Sequence, residues 1–372
     1  MKRSLLIILS LVLLAVFSFS PTASAKEKPH IQVAVLLDTS NSMDGLIDQA
    51  KSHLWKIVNE LASAKKDGQV PKLEVSLYEY GKDSIAANEG YLRMVLSLST
   101  DLDKVSEELF ALKTYGGQEY CGKVIESATT GLTWSKNKDD LKMIFIAGNE
   151  PFTQGDVDYK NACKNAIKNS IIVNTIFCGS YQDGIDTQWK DGADLADGQY
   201  ANIDQNQELT FIQAPQDDEI AKLGKQLNKT YIAYGSLGLK NKKRQEEQDS
   251  NAASVASEVM VQRSVAKSSA QYNNSGWDMV DAEKEGKLDL DKVKDDELPD
   301  EMKGMSKKEK KEYIEEQKKK RDSLQAKIKK LNEARNKYIA KERTKQAKDN
   351  TLDSAIIKAI RKQAKKRNFS IK

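Results

Sequence analysis

The stretch Ile31-Gln-Val-Ala-Val-Leu-Leu37-Asp38-Thr39-Ser40-Asn41-Ser42 decides the fold of this 372-residue chain. Its first seven residues are apolar except for Gln32, a composition typical of a strand that is buried on both faces of a sheet. After Ser42, apolar residues recur at helical spacing as far as Ala64. We therefore expect a buried strand that opens into a helix, with polar side chains at the turn between them.

Strand-like runs and helical patterns continue to alternate as far as about residue 230. This alternation predicts an α/β fold, a doubly wound and mostly parallel sheet with helices on both faces. The later strands are expected near 73–77, 91–98, 141–147, 171–177 and 200–203. Binding sites in such folds form beyond the carboxyl ends of the strands, where the strand order reverses. Three segments should meet at that rim, namely those after Leu37, around Gly116 and after Ala147.

The first of these segments carries the pattern Asp-x-Ser-x-Ser at Asp38, Ser40 and Ser42. All three side chains offer oxygen, the donor that Mg²⁺ prefers, with Mn²⁺ or Ca²⁺ as alternatives. A single carboxylate leaves a divalent ion positively charged, so an Asp or Glu carboxylate of a protein partner is the expected further ligand. The alternative is that the serines cap the following helix and that Asp38 binds nearby amides.

Ile31 to Met43 resembles the first strand and metal motif of a von Willebrand factor type A (VWA) domain. The resemblance extends over about residues 31–234. It implies a Rossmann-like sheet of strand order 3-2-1-4-5-6 with an antiparallel edge strand. It also implies a metal-ion-dependent adhesion site (MIDAS) in which Asp38, Ser40 and Ser42 are the first-loop ligands.

The other two rim loops depart from the pattern of that family. Gln118 stands where the family has a threonine ligand, and Gly148 stands where the family has an aspartate. Oxygen donors that could substitute lie next to both positions. The predicted metal ligands are therefore Asp38, Ser40, Ser42, Gln118, Glu119, Asn149 and Glu150.

Residues 1–25 have the pattern of a secretory signal peptide. A basic start is followed by an apolar run from Leu5 to Phe19 and by Ala23-Ser24-Ala25, a small-x-small cleavage sequence. We expect the chain to be exported to the periplasm or secreted, with no transmembrane span in the mature part. Export permits disulfides, but the three cysteines Cys121, Cys163 and Cys178 are predicted to be buried thiols.

Beyond a VWA domain at 26–238, the sequence predicts a helical and acidic connector at 239–302 and a basic, long-helical region at 303–372. The basic region holds 25 Lys and Arg against 9 Asp and Glu, whereas residues 26–302 hold 32 against 46. Leu324, Ile328, Leu331 and Tyr338 fall at heptad-like spacing, which favours either a coiled coil or a helix that folds back on the acidic body. The basic tail could also bind an anionic envelope polymer. Nucleic acid is not expected, because few aromatic residues accompany the charges.

Several classes of chemistry are excluded. Two histidines and three cysteines leave no histidine-based or paired-thiolate metal site, no phosphate-binding GxxxxGK[ST] loop is present, and no Ser–His–Asp arrangement is convincing. We predict a protein without catalytic residues, an exported module that binds a protein partner through a divalent metal for adhesion or complex assembly. The alternatives are a metal-dependent hydrolase that uses the same rim and a structural envelope protein held by its basic tail.

Overall fold

The computed structural model describes residues 28–45, 47–203, 212–345 and 352–371; the predicted signal peptide lies outside this range. The strands are β1 (His30–Asp38), β2 (Lys65–Lys66), β3 (Lys72–Tyr80), β4 (Arg93–Ser99), β5 (Leu141–Gly148), β6 (Ile171–Cys178), β7 (Tyr200–Ile203) and β8 (Phe369–Ser370). The helices are α1 (Ile47–Ala62), α2 (Leu102–Ala111), α3 (Cys121–Gly131), α4 (Tyr159–Lys168), α5 (Tyr181–Asp186), α6 (Trp189–Leu195), α7 (Asp217–Asn228), α8 (Gly238–Val255), α9 (Ser257–Lys267), α10 (Met279–Lys284), α11 (Lys307–Lys345) and α12 (Leu352–Lys366).

Six strands form the central sheet in the order β4-β3-β1-β5-β6-β7, while β2 and β8 pair separately. Among the described strands of this sheet, only β4 runs antiparallel to its neighbour. Numbered within the sheet, the order is 3-2-1-4-5-6, which confirms the predicted α/β fold class and strand order. The order reverses between β1 and β5, so the carboxyl ends of these two strands border the expected binding crevice.

Strand β1 is central because its side chains are apolar on both faces. Ile31, Val33, Val35 and Leu37 face one core, together with residues of α1, α2 and α7. Ala34 and Leu36 face a second core, together with residues of α3, α4 and α6. Burial on both sides fixes the register of β1 between β3 and β5 and brings its last residue, Asp38, to the buried edge of the rim.

The connector predicted at 239–302 contains more than one helix. Helices α8 and α9 are separate, and α9 is almost entirely buried. Charged side chains, among them Arg263 and Lys267, are part of this buried surface. Arg263 donates to Asp103 on α2 and to Asp249 on α8, both at 2.6 Å, so a polar sequence packs inside the protein.

Helix α11 folds back on the body, the second of the two arrangements that its heptad-like stripe allowed. Ile328 is fully buried in the main core, and Leu324 and Leu331 pack against it. These apolar residues of the stripe are thus buried by contacts within one chain. At the end of the described chain, α12 packs on α1, and β8 pairs with β2.

The guanidinium of Arg321 attaches α11 to the body. It donates to Asp278 at 2.6 Å, to Asp281 at 2.9 Å and to the carbonyl of Thr230 at 2.6 Å, and it lies 3.8 Å from the ring centroid of Tyr231. Arg321 is fully buried, so each donor must find its partner inside the protein.

The three cysteines are free and buried, as the sequence predicted. In the part of the chain that the structure describes, none of the helices is both long and apolar enough to cross a membrane.

We predict that Arg321→Met lowers the free energy of unfolding by about 3–5 kcal/mol, because it leaves buried carboxylates without a cation. Chemical denaturation of the purified chain measures this loss. The matched control is Lys320→Met on the same helix, where the side chain is 55% exposed and pairs with Glu316. This control should cost no more than about 1 kcal/mol. Equal losses in the two variants would show that the buried ion cluster does not hold α11 in place.

Candidate metal centre

The first rim loop is shaped by the buried end of β1. Oδ1 of Asp38 accepts a hydrogen bond from the backbone N–H of Ser40 at 2.7 Å. The hydroxyls of Ser40 and Ser42 lie 2.8 Å apart, and Ser42 donates to Oδ1 of Asn149 at 3.0 Å. Ser40 precedes a short 3-10 turn but makes no side-chain capping bond. The Ser40 hydroxyl is therefore directed to its neighbour Ser42 and not to a helix end.

Backbone hydrogen bonds hold the second loop against the first. The N–H of Asn41 donates to the carbonyl of Gly116 at 3.1 Å, and the N–H of Tyr115 donates to the carbonyl of Thr39 at 2.7 Å. This contact brings the second loop to the crevice between β1 and β5, as the sequence predicted.

Within the second loop, Glu119 and not Gln118 lies against Asp38. The Glu119 side chain is only 2% exposed and interacts directly with the Asp38 carboxyl and with Ser40. Gln118 is exposed, and its amide oxygen accepts a 3.5 Å hydrogen bond from the hydroxyl of Tyr120. Of the two predicted ligands in this loop, the structure brings Glu119 into the cluster and leaves Gln118 at the surface.

The third loop contributes Asn149 and Glu150, which directly follow β5. Asn149 reaches Ser42, as described above, and both side chains are half-buried. The negative charge of Glu150 is close enough to raise the pKa of Asp38 and of Glu119. Its backbone carbonyl accepts a 2.8 Å hydrogen bond from the indole of Trp189, which fixes the course of the loop.

The structure explains why glycine stands at position 148. A Cβ added to Gly148 would lie 2.4 Å from the hydroxyl oxygen of Tyr80 and 3.1 Å from Oδ2 of Asp38. Tyr80 is fully buried beneath the rim and donates to the carbonyl of Ala147 at 2.8 Å. An aspartate at 148 would have to displace this tyrosine, so Tyr80 occupies the space that a third-loop carboxylate would need.

Sequence reasoning missed both Tyr80 and its neighbour Gly81, because it ended that strand at Leu77. Gly81 has a φ of +79°, and a Cβ there would lie 2.6 Å from Oδ1 of Asp38. A glycine just after a buried strand, at the same rim as the Asp-x-Ser-x-Ser pattern, was the signal that could have revealed this close approach.

Two buried carboxyl groups dominate the electrostatics of the rim. Burial, together with the neighbouring Asp38, raises the pKa of Glu119 to about 9. Burial also raises the pKa of Asp38 to about 6. Oδ2 of Asp38 and Oε2 of Glu119 are both buried, and no other residue in the described part of the chain donates a hydrogen bond to either. Two carboxylates in contact need a shared proton or a cation between them.

These residues fit a hard divalent cation. Asp38, Glu119, Ser40, Ser42 and Asn149 offer carboxylate, hydroxyl and amide oxygens, the donor types that such an ion takes. Among the described residues, no group of three or more His, Cys, Asp and Glu is placed to hold a metal alone. The hydroxyl and amide oxygens are therefore needed to complete a site here.

No protein-family model and no curated protein matches this chain. In structure it is similar to the conserved hypothetical protein BatB from Bacteroides thetaiotaomicron, with a TM-score of 0.37 and 15% identity over 47% of this chain and 90% of that one. It is also similar to the VWA domain of SpRpn10, with a TM-score of 0.38 and 15% identity over 48% of this chain and 91% of that one. A third neighbour is proximal thread matrix protein 1 from the mussel byssus, whose MIDAS motif is occupied by zinc in that structure. The TM-score is 0.35, and the identity is 11% over 47% of this chain and 42% of that one. Because these scores are low, the fold rests on the strand order of the chain itself.

We predict that the metal-free protein loses stability as the pH rises from about 4 to about 9. In this window the folded state holds protons that the unfolded state releases, because the pKa values of Asp38 and Glu119 are raised to about 6 and about 9. This stabilisation is complete below the pKa values that the two carboxyl groups have in the unfolded chain. It is lost as the pH rises through their pKa values in the folded protein. Denaturation in a chelator at several pH values measures the slope.

Glu119→Gln should flatten this slope above pH 6, because the amide does not titrate. The control Glu126→Gln on α3, where the carboxyl is 43% exposed, should keep the wild-type slope. A wild-type slope in Glu119→Gln would show that the buried carboxyl is not the titrating group.

Proposed function

We propose that the chain is an exported VWA-type module that binds a protein partner through a divalent metal at the rim of its sheet. The observation that supports this proposal is a pair of buried carboxyl oxygens, Oδ2 of Asp38 and Oε2 of Glu119, for which no other described residue supplies a hydrogen-bond donor. They lie at the reversal of the strand order, next to the exposed hydroxyl of Ser42. An ion bound there would be held from inside by carboxylates and would remain accessible from outside.

Asp38, Ser40, Ser42, Glu119 and Asn149 are the residues that would hold the ion, with Mg²⁺ expected and Mn²⁺ or Ca²⁺ as alternatives. The chemistry that the ion supplies is an electrophilic centre for an oxygen of the partner, and an Asp or Glu carboxylate is the donor that we propose. The chain itself positions the ion and limits water around it, because Asp38 and Glu119 are buried.

Glu119 sets the charge of this site and therefore its preference for partners. With Asp38 alone, a divalent ion keeps one positive charge, whereas a second ionised carboxylate neutralises it. The side chain of Glu119 thus competes with the carboxylate of a partner for the same ion. Partner binding should accordingly be weaker in the wild type than in a variant that lacks this charge.

Binding without turnover is the proposed activity. His30 lies at the opposite end of β1 from the rim, and His53 lies within α1. The arrangement of oxygen donors around Asp38 needs no further group to bind a partner oxygen, whereas a hydrolase would need a base that is placed to activate water.

A second contact is proposed for the basic helix α11. Lys327, Lys330, Lys337 and Lys341 are exposed and recur every three, four or seven residues, a spacing that places them along one side of the helix. Such a row suits an anionic envelope polymer. Export would bring the chain to that compartment.

We predict that Mg²⁺, Mn²⁺ or Ca²⁺ raises the thermal unfolding midpoint of the metal-stripped chain. An ion at about 100 times its dissociation constant contributes about 2.7 kcal/mol. Asp38→Asn and the double variant Ser40→Ala/Ser42→Ala should lose the shift, whereas Asp44→Asn, on the exposed part of the same loop, should keep it. A shift of equal size in all variants would place the ion elsewhere, and no shift with any ion would overturn the metal site.

We predict metal-dependent binding of peptides that carry a central Asp or Glu, measured on the immobilised chain with Mg²⁺ or with a chelator. Matched peptides with Asn or Gln at that position are the control. Glu119→Gln should bind the acidic peptides more tightly, because one competing carboxylate is removed. Peptide cleavage that requires the metal and Asp38 would support the hydrolase instead. Retention on an anionic polymer that salt abolishes and a chelator does not would support the structural envelope protein.

A further inference from the structure

The opposite end of the sheet, at the amino ends of β5 and β6, contains a cavity of about 360 Å³. The cavity lies between the loop that follows α3, the start of β5 and the end of α4. Four lysines line it, namely Lys136, Lys138, Lys142 and Lys168, and neither Asp nor Glu is among the described residues that line it. The hydroxyls of Thr129, Thr133, Ser135 and Ser170 and the amide of Asn169 complete its polar surface. This concentration of cations contrasts with the net negative charge of residues 26–302.

The charges of these lysines are not balanced by the groups around them. Within the described residues, none of the four has a carboxylate partner within ion-pair distance. The nearby buried Asp140 supplies one negative charge, and it already accepts hydrogen bonds from the N–H of His30 and the hydroxyl of Ser135. Two helices, α3 and α4, end here and contribute about half a negative charge each. About two negative charges thus face four positive ones.

Lys142 is the residue that distinguishes this cavity from a group of surface lysines. It is only 4% exposed, and its ammonium donates to the carbonyl of Ser135 at 2.8 Å. Burial lowers the pKa of Lys142, and the positive charges of Arg367 and Lys138 lower it further, although Asp140 opposes them. The Lys142 ammonium is partly removed from water and lies near other cations, so an anion that joins them would be stabilising.

The adjacent cavity, of about 450 Å³, shares Lys136 with the first one but differs from it because a carboxylate is part of its lining. There Glu74 binds the ammonium of Lys72 at 2.7 Å and the imidazole of His30 at 3.0 Å, and it also accepts a hydrogen bond from Gln32. Among the described residues, a carboxylate thus lines this cavity, whereas none lines the cavity with the four lysines. The unpaired cluster is the one with free capacity for an anion from solution.

We propose that the cavity lined by Lys136, Lys138, Lys142 and Lys168 binds a phosphate-bearing anion. Lysine ammonium groups bind phosphate oxygens as point charges, and the hydroxyls and the Asn169 amide can donate to the remaining oxygens. The volume far exceeds the roughly 30 Å³ occupied by one water, so it accommodates more than a single small ion.

The test is a titration with pyrophosphate of the chain that lacks its predicted signal peptide. The buffer contains a chelator, and chloride keeps the ionic strength constant. The chelator separates this site from the metal at the rim, so either proposal can fail alone. We expect a rise in the thermal midpoint and a change in the fluorescence of Trp134, which lines the cavity. Long-chain polyphosphate at equal phosphate concentration is the second probe. Stronger binding of the polymer would assign the site to a phosphate chain, and equal binding would assign it to the small anion.

Two variants and a matched control decide the location. Lys142→Met and Lys168→Glu should each weaken pyrophosphate by about tenfold or more, since each removes a charged hydrogen-bond donor. Lys164→Glu makes the same charge change one turn earlier on α4, on an exposed side chain outside the cavity, and should bind as the wild type does. Lys168 is exposed, so its variant is informative even where Lys142→Met does not fold. Equal weakening in Lys164→Glu and Lys168→Glu would show general charge attraction, and no binding by the wild type would overturn the proposal.

Discussion

The burial of Asp38 at the end of the central strand is the constraint on which the rim depends. β1 lies between two parallel neighbours and is apolar on both faces, so its last side chain cannot reach bulk water without breaking the sheet. The carboxyl group is therefore delivered to a site where ionisation is costly. Two hydrogen bonds offset part of that cost. The N–H of Ser40 donates to one carboxyl oxygen of Asp38, and the side chain of Glu119 also hydrogen-bonds to the Asp38 carboxyl group.

Two ionised carboxylates in contact, on Glu119 and Asp38, would repel each other if no cation were bound between them. Each group raises the demand for a proton or a cation at the other, and this demand is the chemical reason for the proposed metal. The same pair also limits how electrophilic a bound ion can be. Affinity for the ion and affinity for an acidic partner thus oppose each other through one side chain.

The parts of the fold that follow from a strong local pattern could be predicted. β1, the alternation of strands and helices and the Asp-x-Ser-x-Ser turn are all encoded within a few residues, and the structure confirms the fold class and the strand order. Tyr80 and Gly148 could not be paired from the sequence, because they are brought together only by the register of β3, β1 and β5. For the same reason, the sequence could not decide which of Gln118 and Glu119 turns inward.

The C-terminal helices show the limit of reading charge from composition. Residues 303–372 have a large positive excess, yet Arg321 and Arg335 are buried and bind Asp278 and Asp217 of the acidic body at 2.6 Å. A charged residue in a helical pattern suggests a solvated face, but here it carries the tertiary contact. Cations that bind a carboxylate directly stabilise the fold. Lys142 instead donates to a backbone carbonyl and has no carboxylate within ion-pair distance among the described residues, so its charge is left available to a ligand. The difference lies in the acceptors that surround each cation, which only the folded chain reveals.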